Sequence, residues 1–289
     1  MAENTQVADL VRRARRLRLR VLRQVRTHLA GCYASAFRGA GIEFESVRPY
    51  EPGDDVRRID WRVTARRPAV YVRQYQQERE LRVLLALDVS NSMHVGPPGD
   101  APLQRALLVA AALGLAAAEN GDRVGALLFG RKVLDAVPAR GGERHVLSIL
   151  RRALEAGPAG SATDLRPLLS QLRNCRGHVV CVLLSDFLTT PPVWRPDVRR
   201  AVVGVARKHH LLAVQFPACA NLPAGVVWDG ADPESGQRVR MDASRGEDDP
   251  MRRHRRRVRE TVLRCGAPFA EISPGTAPMP VLHRLLAAR

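Results

Sequence analysis

"LRVLLALDVSNSM" (Leu81–Met93) is the stretch whose reading decides the fold. An apolar run ends in Asp88, Ser90 and Ser92, three oxygen-bearing side chains on alternate positions. A strand that is apolar on both faces belongs inside a covered, mostly parallel sheet. As the chain curls out of such a strand, alternate residues can turn towards one centre. The pattern returns in "HVVCVLLSD" (His178–Asp186), a second apolar strand ending in an aspartate.

Outward from these two strands, helical and strand patterns alternate. "LQRALLVAAALGLAAAEN" (Leu103–Asn120) reads as a helix stopped by Gly121, "DRVGALLFG" as a strand and "KVLDAV" as a short edge strand. Helices are expected over Gly142–Glu155, over Asp164–Asn174 with Thr163 or Asp164 as cap, and over Pro196–Lys208. "LLAVQF" is another strand. After Cys219 come a hairpin ("AGVVWDGADPESGQRVRMD"), a basic helix over Arg252–Arg264, a short strand and a final helix. This alternation predicts an α/β, doubly wound, mostly parallel sheet of Rossmann-like kind.

The 289 residues suffice for one large α/β domain with an appendage. Residues 1–36 form an expected N-terminal unit, an Arg-rich amphipathic helix from Val7 to about Leu29. Residues 37–80 form a charged segment, and 81–289 the α/β domain with its C-terminal hairpin and helices. The N-terminus has neither the apolar core nor the cleavage site of a signal peptide. The longest apolar run, Ala106–Ala118, is short of the roughly 18 residues a membrane span needs. A cytoplasmic protein without a membrane span is expected, with peripheral membrane contact through the N-terminal helix left open. Five cysteines without a C-x-x-C pair read as buried thiols.

The formal net charge is +17, carried almost wholly by arginine, with Lys132 and Lys208 the only lysines. Nucleic acid or another anionic surface is the alternative partner that this charge suggests. The basic run lacks interleaved aromatics and no nucleic-acid-binding motif accompanies it, so nucleic acid is not the expected ligand. In residues 37–80, Arg48, Asp54, Asp55, Arg57, Asp60 and Arg66 are expected to pair among themselves around a buried Trp61 and hold a non-regular structure that also offers a partner surface, followed by "AVYVRQYQQE", which alternates like a strand. A cation site on Asp54, Asp55 and Asp60 is the alternative, and the interleaved arginines argue against it.

At one sheet edge, Asp88, Ser90, Ser92, Thr163 and Asp186 supply two carboxylates and three hydroxyls. Such hard oxygen donors suit Mg²⁺, with Ca²⁺ or Mn²⁺ as substitutes. Two carboxylates neutralise a divalent ion, and neutral hydroxyls leave it able to take one more carboxylate from outside. That describes docking better than catalysis. Ser161 is an alternative to Thr163, while Ser185 and Asp164 are expected beside the site as supports.

D-x-S-x-S followed by Met93, with a downstream Thr163 and Asp186, resembles the metal-ion-dependent adhesion site of von Willebrand factor A domains. "GIEFESVRPYEPGDDVRRIDWRVTAR", "QERELRVLLALDVSNSM" and "GDRVGALLFG" resemble the family catalogued as domain of unknown function 58. The likeness runs from about Gly39 to about Phe216. After the last core strand this chain reads "FPACANLPAG", keeping Leu222-Pro223 without the acidic residues usual in that family. The resemblance implies a von Willebrand A-like fold and a partner. That partner is a MoxR-type AAA+ ATPase, or its client, held through an acidic side chain in chaperone-like assembly or activation of a protein complex.

Enzymatic readings fare worse on the residues. A D-x-D phosphatase would need an acid where Ser90 stands, and Ser185 lacks the G-x-S-x-G turn of a serine hydrolase. The histidines make no metal pair and there is no P-loop. The expectation is a non-enzymatic protein with no small-molecule substrate. A Mg²⁺-dependent phosphatase-like enzyme is the second alternative.

Overall fold

The computed structural model describes residues 33, 36, 44–66, 68–75, 81–96, 99–157, 162–218, 227–231, 238–242 and 250–287. The expected helix over Val7–Leu29, Ser161, Cys32, Cys219 and the Leu222-Pro223 element lie outside the described residues.

The charged segment is more regular than its sequence suggests. Strand β1 (Phe44–Pro49) pairs antiparallel with β2 (Tyr71–Tyr75), and a short helix α1 (Trp61–Thr64) lies between them. Its charges act locally. Arg48 grips Asp54 through two bonds of 2.7 and 2.6 Å. Asp55 accepts from Arg57 N, and Asp60 caps α1 by accepting from Arg62 N and Val63 N. Among the described residues the expected network includes the Arg48–Asp54 ion pair and two caps, while Arg57 and Arg66 are exposed. Trp61 is also not buried, being 65% exposed. The reason is local: a four-residue helix has one face, and its cap and the β2 contacts occupy it.

The α/β domain is a six-stranded sheet of order β10-β7-β6-β3-β4-β5. The strands are β3 (Arg82–Asp88), β4 (Arg123–Phe129), β5 (Val133–Arg140), β6 (Val180–Ser185), β7 (His210–Gln215) and β10 (Phe269–Glu271). All are parallel except β5, which pairs antiparallel with β4 at one edge. The expected hairpin is β8 (Val227–Ala231) with β9 (Arg238–Asp242), a separate two-stranded sheet.

Helices cover both faces, and the pleat of β3 shows how. Val83, Leu85 and Leu87 pack with α2 (Pro102–Glu119), α3 (Glu143–Glu155) and α7 (Pro278–Ala287). Ala86 packs on the other side with α4 (Leu165–Asn174), α5 (Pro196–Lys208) and α6 (Pro250–Arg264). The alternation of side chains along a strand fixes this division. Tyr33 joins the first cluster and donates to Asp122 Oδ2 at 2.8 Å.

Helix α2 reaches the length of a membrane span at 18 residues, longer than its apolar run alone. It is 78% buried inside the domain, which makes it the core helix of the sheet. Gly114 on α2 allows the close approach of α3, since a Cβ there would lie 2.8 Å from Val146 Cγ1. The described cysteines, Cys175, Cys181 and Cys265, are free thiols. Burial pushes the Cys181 thiol up to about 12.

Candidate metal centre

Strand β3 lies between β4 and β6, and the chain leaves it in one direction and returns on its other side. At such a switch point the loops after neighbouring strands diverge and leave a crevice. Asp88 is the last residue of β3, and Ser185 the last of β6. Leu87 pairs with Leu184, so Asp88 and Ser185 stand side by side.

Ser185 Oγ donates to Asp88 Oδ2 at 2.6 Å and accepts from Phe187 N at 2.9 Å. Asp88 Oδ1 accepts from Ser90 N at 3.0 Å and lies 3.5 Å from Thr163 Oγ1. Ser90 precedes a 3₁₀ turn over Asn91–His94, and that turn brings Ser92 Oγ to 3.1 Å from Ser90 Oγ. Thr163 is tied to the loop after β6 by its bridge to Thr189 and by Thr190 N donating to its carbonyl. Asp186 Oδ1 accepts from Leu188 N, and Gln215 holds the Asp186 carbonyl. Phe187 follows with φ 60°, a left-handed conformation rare outside glycine, and His254 of α6 bonds its carbonyl at 3.1 Å.

All five predicted donors are thus buried at one end of the sheet, at 0 to 2% exposure. Burial pushes the Asp88 carboxyl above the usual carboxylate range, against the hydrogen bonds from Ser185, Ser90 and Thr163 that favour its charged form. Burying a carboxylate is costly unless an opposite charge joins it. The donors suit such a charge. They are all oxygen, and the 3.1 Å between the serine hydroxyls matches the roughly 3 Å edge of an octahedron with metal–oxygen bonds of about 2.1 Å. Among the described residues no three His, Cys, Asp or Glu side chains converge.

Asp164 sits apart from the cluster. It caps α4 through Arg166 N at 2.9 Å and pairs with Arg166 at 2.8 Å. His209 is structural, bonding Leu172 O at 2.9 Å where β7 begins. Sequence reasoning missed Arg105, which is buried in α2 and donates to the carbonyls of Ile272 and Pro217. Its one signal was a charge within an otherwise apolar helix. Also missed was a cleft of about 470 Å³ beside Thr163, lined by Arg131 of the β4–β5 turn, Arg166 of the first turn of α4 and Arg195 before α5.

The family model described as "Protein of unknown function DUF58" matches residues 46–261. The chain belongs to this family. Uncharacterized protein Rv1480 of Mycobacterium tuberculosis and uncharacterized protein Mb1516 of Mycobacterium bovis are each 32% identical to it over 284 residues. In both cases the match covers 95% of this chain and 88% of the relative. Similar solved structures include the conserved hypothetical protein BatB of Bacteroides thetaiotaomicron, at 13% identity and TM-score 0.44, covering 72% of this chain and 98% of that one. An aerotolerance-related membrane protein of Bacteroides fragilis gives 13% and 0.45, covering 72% and 100%. The von Willebrand factor type A structure from Catenulispora acidiphila gives 13% and 0.39, covering 76% and 43%. This DUF58 chain has the von Willebrand A-like arrangement expected of it. The sheet order, the antiparallel edge strand β5 and the helices on both faces carry that statement.

Proposed function

We propose that this DUF58 protein is a non-enzymatic, divalent-metal-dependent docking module of the cytoplasm. Asp88, Ser90, Ser92, Thr163 and Asp186 would hold Mg²⁺, with Ca²⁺ or Mn²⁺ able to replace it. The observation that carries the reading is the wholly buried Asp88 at the carboxyl end of β3, bonded by the hydroxyl of Ser185 and faced by that of Thr163, with Asp186 buried at the same end of the sheet. An ion bound there supplies an open coordination position to an outside carboxylate. This chain's own part is positioning: Ser185 fixes the Asp88 rotamer, and the 3₁₀ turn holds two hydroxyls on one side.

The family resemblance directs the partner reading to a MoxR-type AAA+ ATPase or its client, engaged through an acidic side chain during assembly or activation of a protein complex. The net charge of +17 favours encounter with such an acidic partner. The test is capture of a purified MoxR-type AAA+ ATPase by the immobilised protein with Mg²⁺, with EDTA, and with Asp88→Ala. Capture that falls at least tenfold in the last two cases supports the reading. Undiminished capture in all three would sink it.

A further inference from the structure

The cleft beside Thr163 adds a second recognition element to that site. Its lining includes Arg131 from the β4–β5 turn, Ala162, Asp164 and Arg166 around the start of α4, and Thr190 and Arg195 before α5. Ala162 and Asp164 are the chain neighbours of Thr163, so the cleft begins one residue from the metal centre.

The charges in the cleft are not balanced. Arg166 is paired with Asp164 at 2.8 Å, and Arg195 with Asp197 at 3.0 Å. Arg131 is exposed and has no carboxylate partner among the described residues. Helix α5 also starts at this rim, with Arg195 as an N-cap that makes no side-chain cap bond and Pro196 following. That helix start is already faced by Asp197 of its own first turn, so the attraction rests on the side chains. The cleft therefore combines a built concavity with an unpaired guanidinium, and both favour an anion.

We infer that this cleft receives a second carboxylate of the partner segment whose first carboxylate completes the metal centre. The recognised ligand is then a short acidic peptide with at least two carboxylates. In extended form, side chains two residues apart lie about 7 Å from each other on one face, a reach suited to adjoining subsites. Phosphate-rich strands fit worse. No aromatic side chain lines the cleft for stacking bases. The inference rests on the metal-docking reading, and its test separates the two.

Fluorescein-labelled Gly-Ser peptides of about ten residues, one with two glutamates two residues apart and one with a single glutamate, are titrated with the full chain in Mg²⁺ and in EDTA. Two partly exposed Arg–carboxylate pairs are together worth about tenfold. The two-glutamate peptide is expected to bind about tenfold more tightly than the single-glutamate peptide in Mg²⁺, well beyond the factor of about two that its second carboxylate gives by number alone. Arg131→Ala/Arg195→Ala should erase that advantage while leaving single-glutamate binding unchanged. Arg252→Ala/Arg259→Ala, which removes the same charge from exposed positions of α6, should keep it. Metal-dependent binding of both peptides within that factor would overturn the second subsite and leave the metal reading standing. Metal-independent binding of the two-glutamate peptide that is lost in Arg131→Ala/Arg195→Ala would keep the cleft and overturn the metal reading. Binding of neither peptide overturns both. A thymidine ten-mer that displaces the two-glutamate peptide at equal concentration would overturn the choice of a peptide.

Discussion

Asp88→Asn is the perturbation that probes the centre with least disturbance. It keeps the side chain's shape and one oxygen for the Ser185 hydroxyl, 2.6 Å away, while removing the buried charge. The variant without metal should be within about 1 kcal/mol of wild type, because a desolvated charge disappears along with some of its hydrogen bonds. With metal the two proteins separate. Free Mg²⁺ at about 100 times its dissociation constant stabilises the folded state by roughly 2.7 kcal/mol. For 289 residues at about 2.1 cal/mol/K each, the unfolding entropy is roughly 0.6 kcal/mol/K, so the thermal midpoint rises by about 4 °C. Asp88→Asn should rise by less than about 1 °C under the same conditions. Differential scanning calorimetry with Mg²⁺ and with EDTA reads both. The pH dependence has a fixed sign. Burial raises the folded carboxyl above its ordinary value of 3.8, so its contribution to metal-free stability is complete below that value. It is lost as pH climbs through the folded value, and a bound cation restores it. The Mg²⁺-induced rise should be larger near pH 7.5 than near pH 5. An Asp88→Asn protein that shows the wild-type rise would refute the reasoning.

Two further predictions concern the scaffold. Ser185→Ala leaves Asp88 Oδ2 and Phe187 N without their hydroxyl partner in a fully buried place. It should cost about 2–3 kcal/mol in urea unfolding, and a loss below about 0.5 kcal/mol would contradict the role given to Ser185. Arg105→Met strands the carbonyls of Ile272 and Pro217 and should lower stability by about 2–4 kcal/mol. The Mg²⁺-induced rise should survive in Arg105→Met, since Arg105 anchors the chain after β7 and β10 rather than the loops that carry Ser90 and Thr163. Its disappearance would mean that the clamp shapes the site.

Some of the site was legible because its signals are local. D-x-S-x-S at the end of an apolar strand needs no partner to be recognised, and the β6 aspartate repeats the same boundary. Thr163 was readable as a donor with Ser161 as its alternative, and the tertiary structure places Thr163 Oγ1 3.5 Å from Asp88 Oδ1. Trp61 shows the opposite case. An aromatic among charges suggests burial, yet Asp60 spends its carboxylate on the cap of α1 and leaves the indole 65% exposed. Strand β1 went unread because its stability comes from pairing with β2, a contact between residues about 25 apart in sequence.

The sequence alone determined the class of fold and the oxygen donors that stand at the strand ends. Apolar strands must be covered on both faces, and polar side chains collect where such strands stop. The tertiary structure decided what distance along the chain conceals. It set β3 beside β6 so that Ser185 meets Asp88, and it gathered Arg131, Arg166 and Arg195 around one cleft. In sequence those arginines are three among 44. Periodicity reports which face of an element is apolar, but only the packing of one segment against another brings charges from three parts of the chain together.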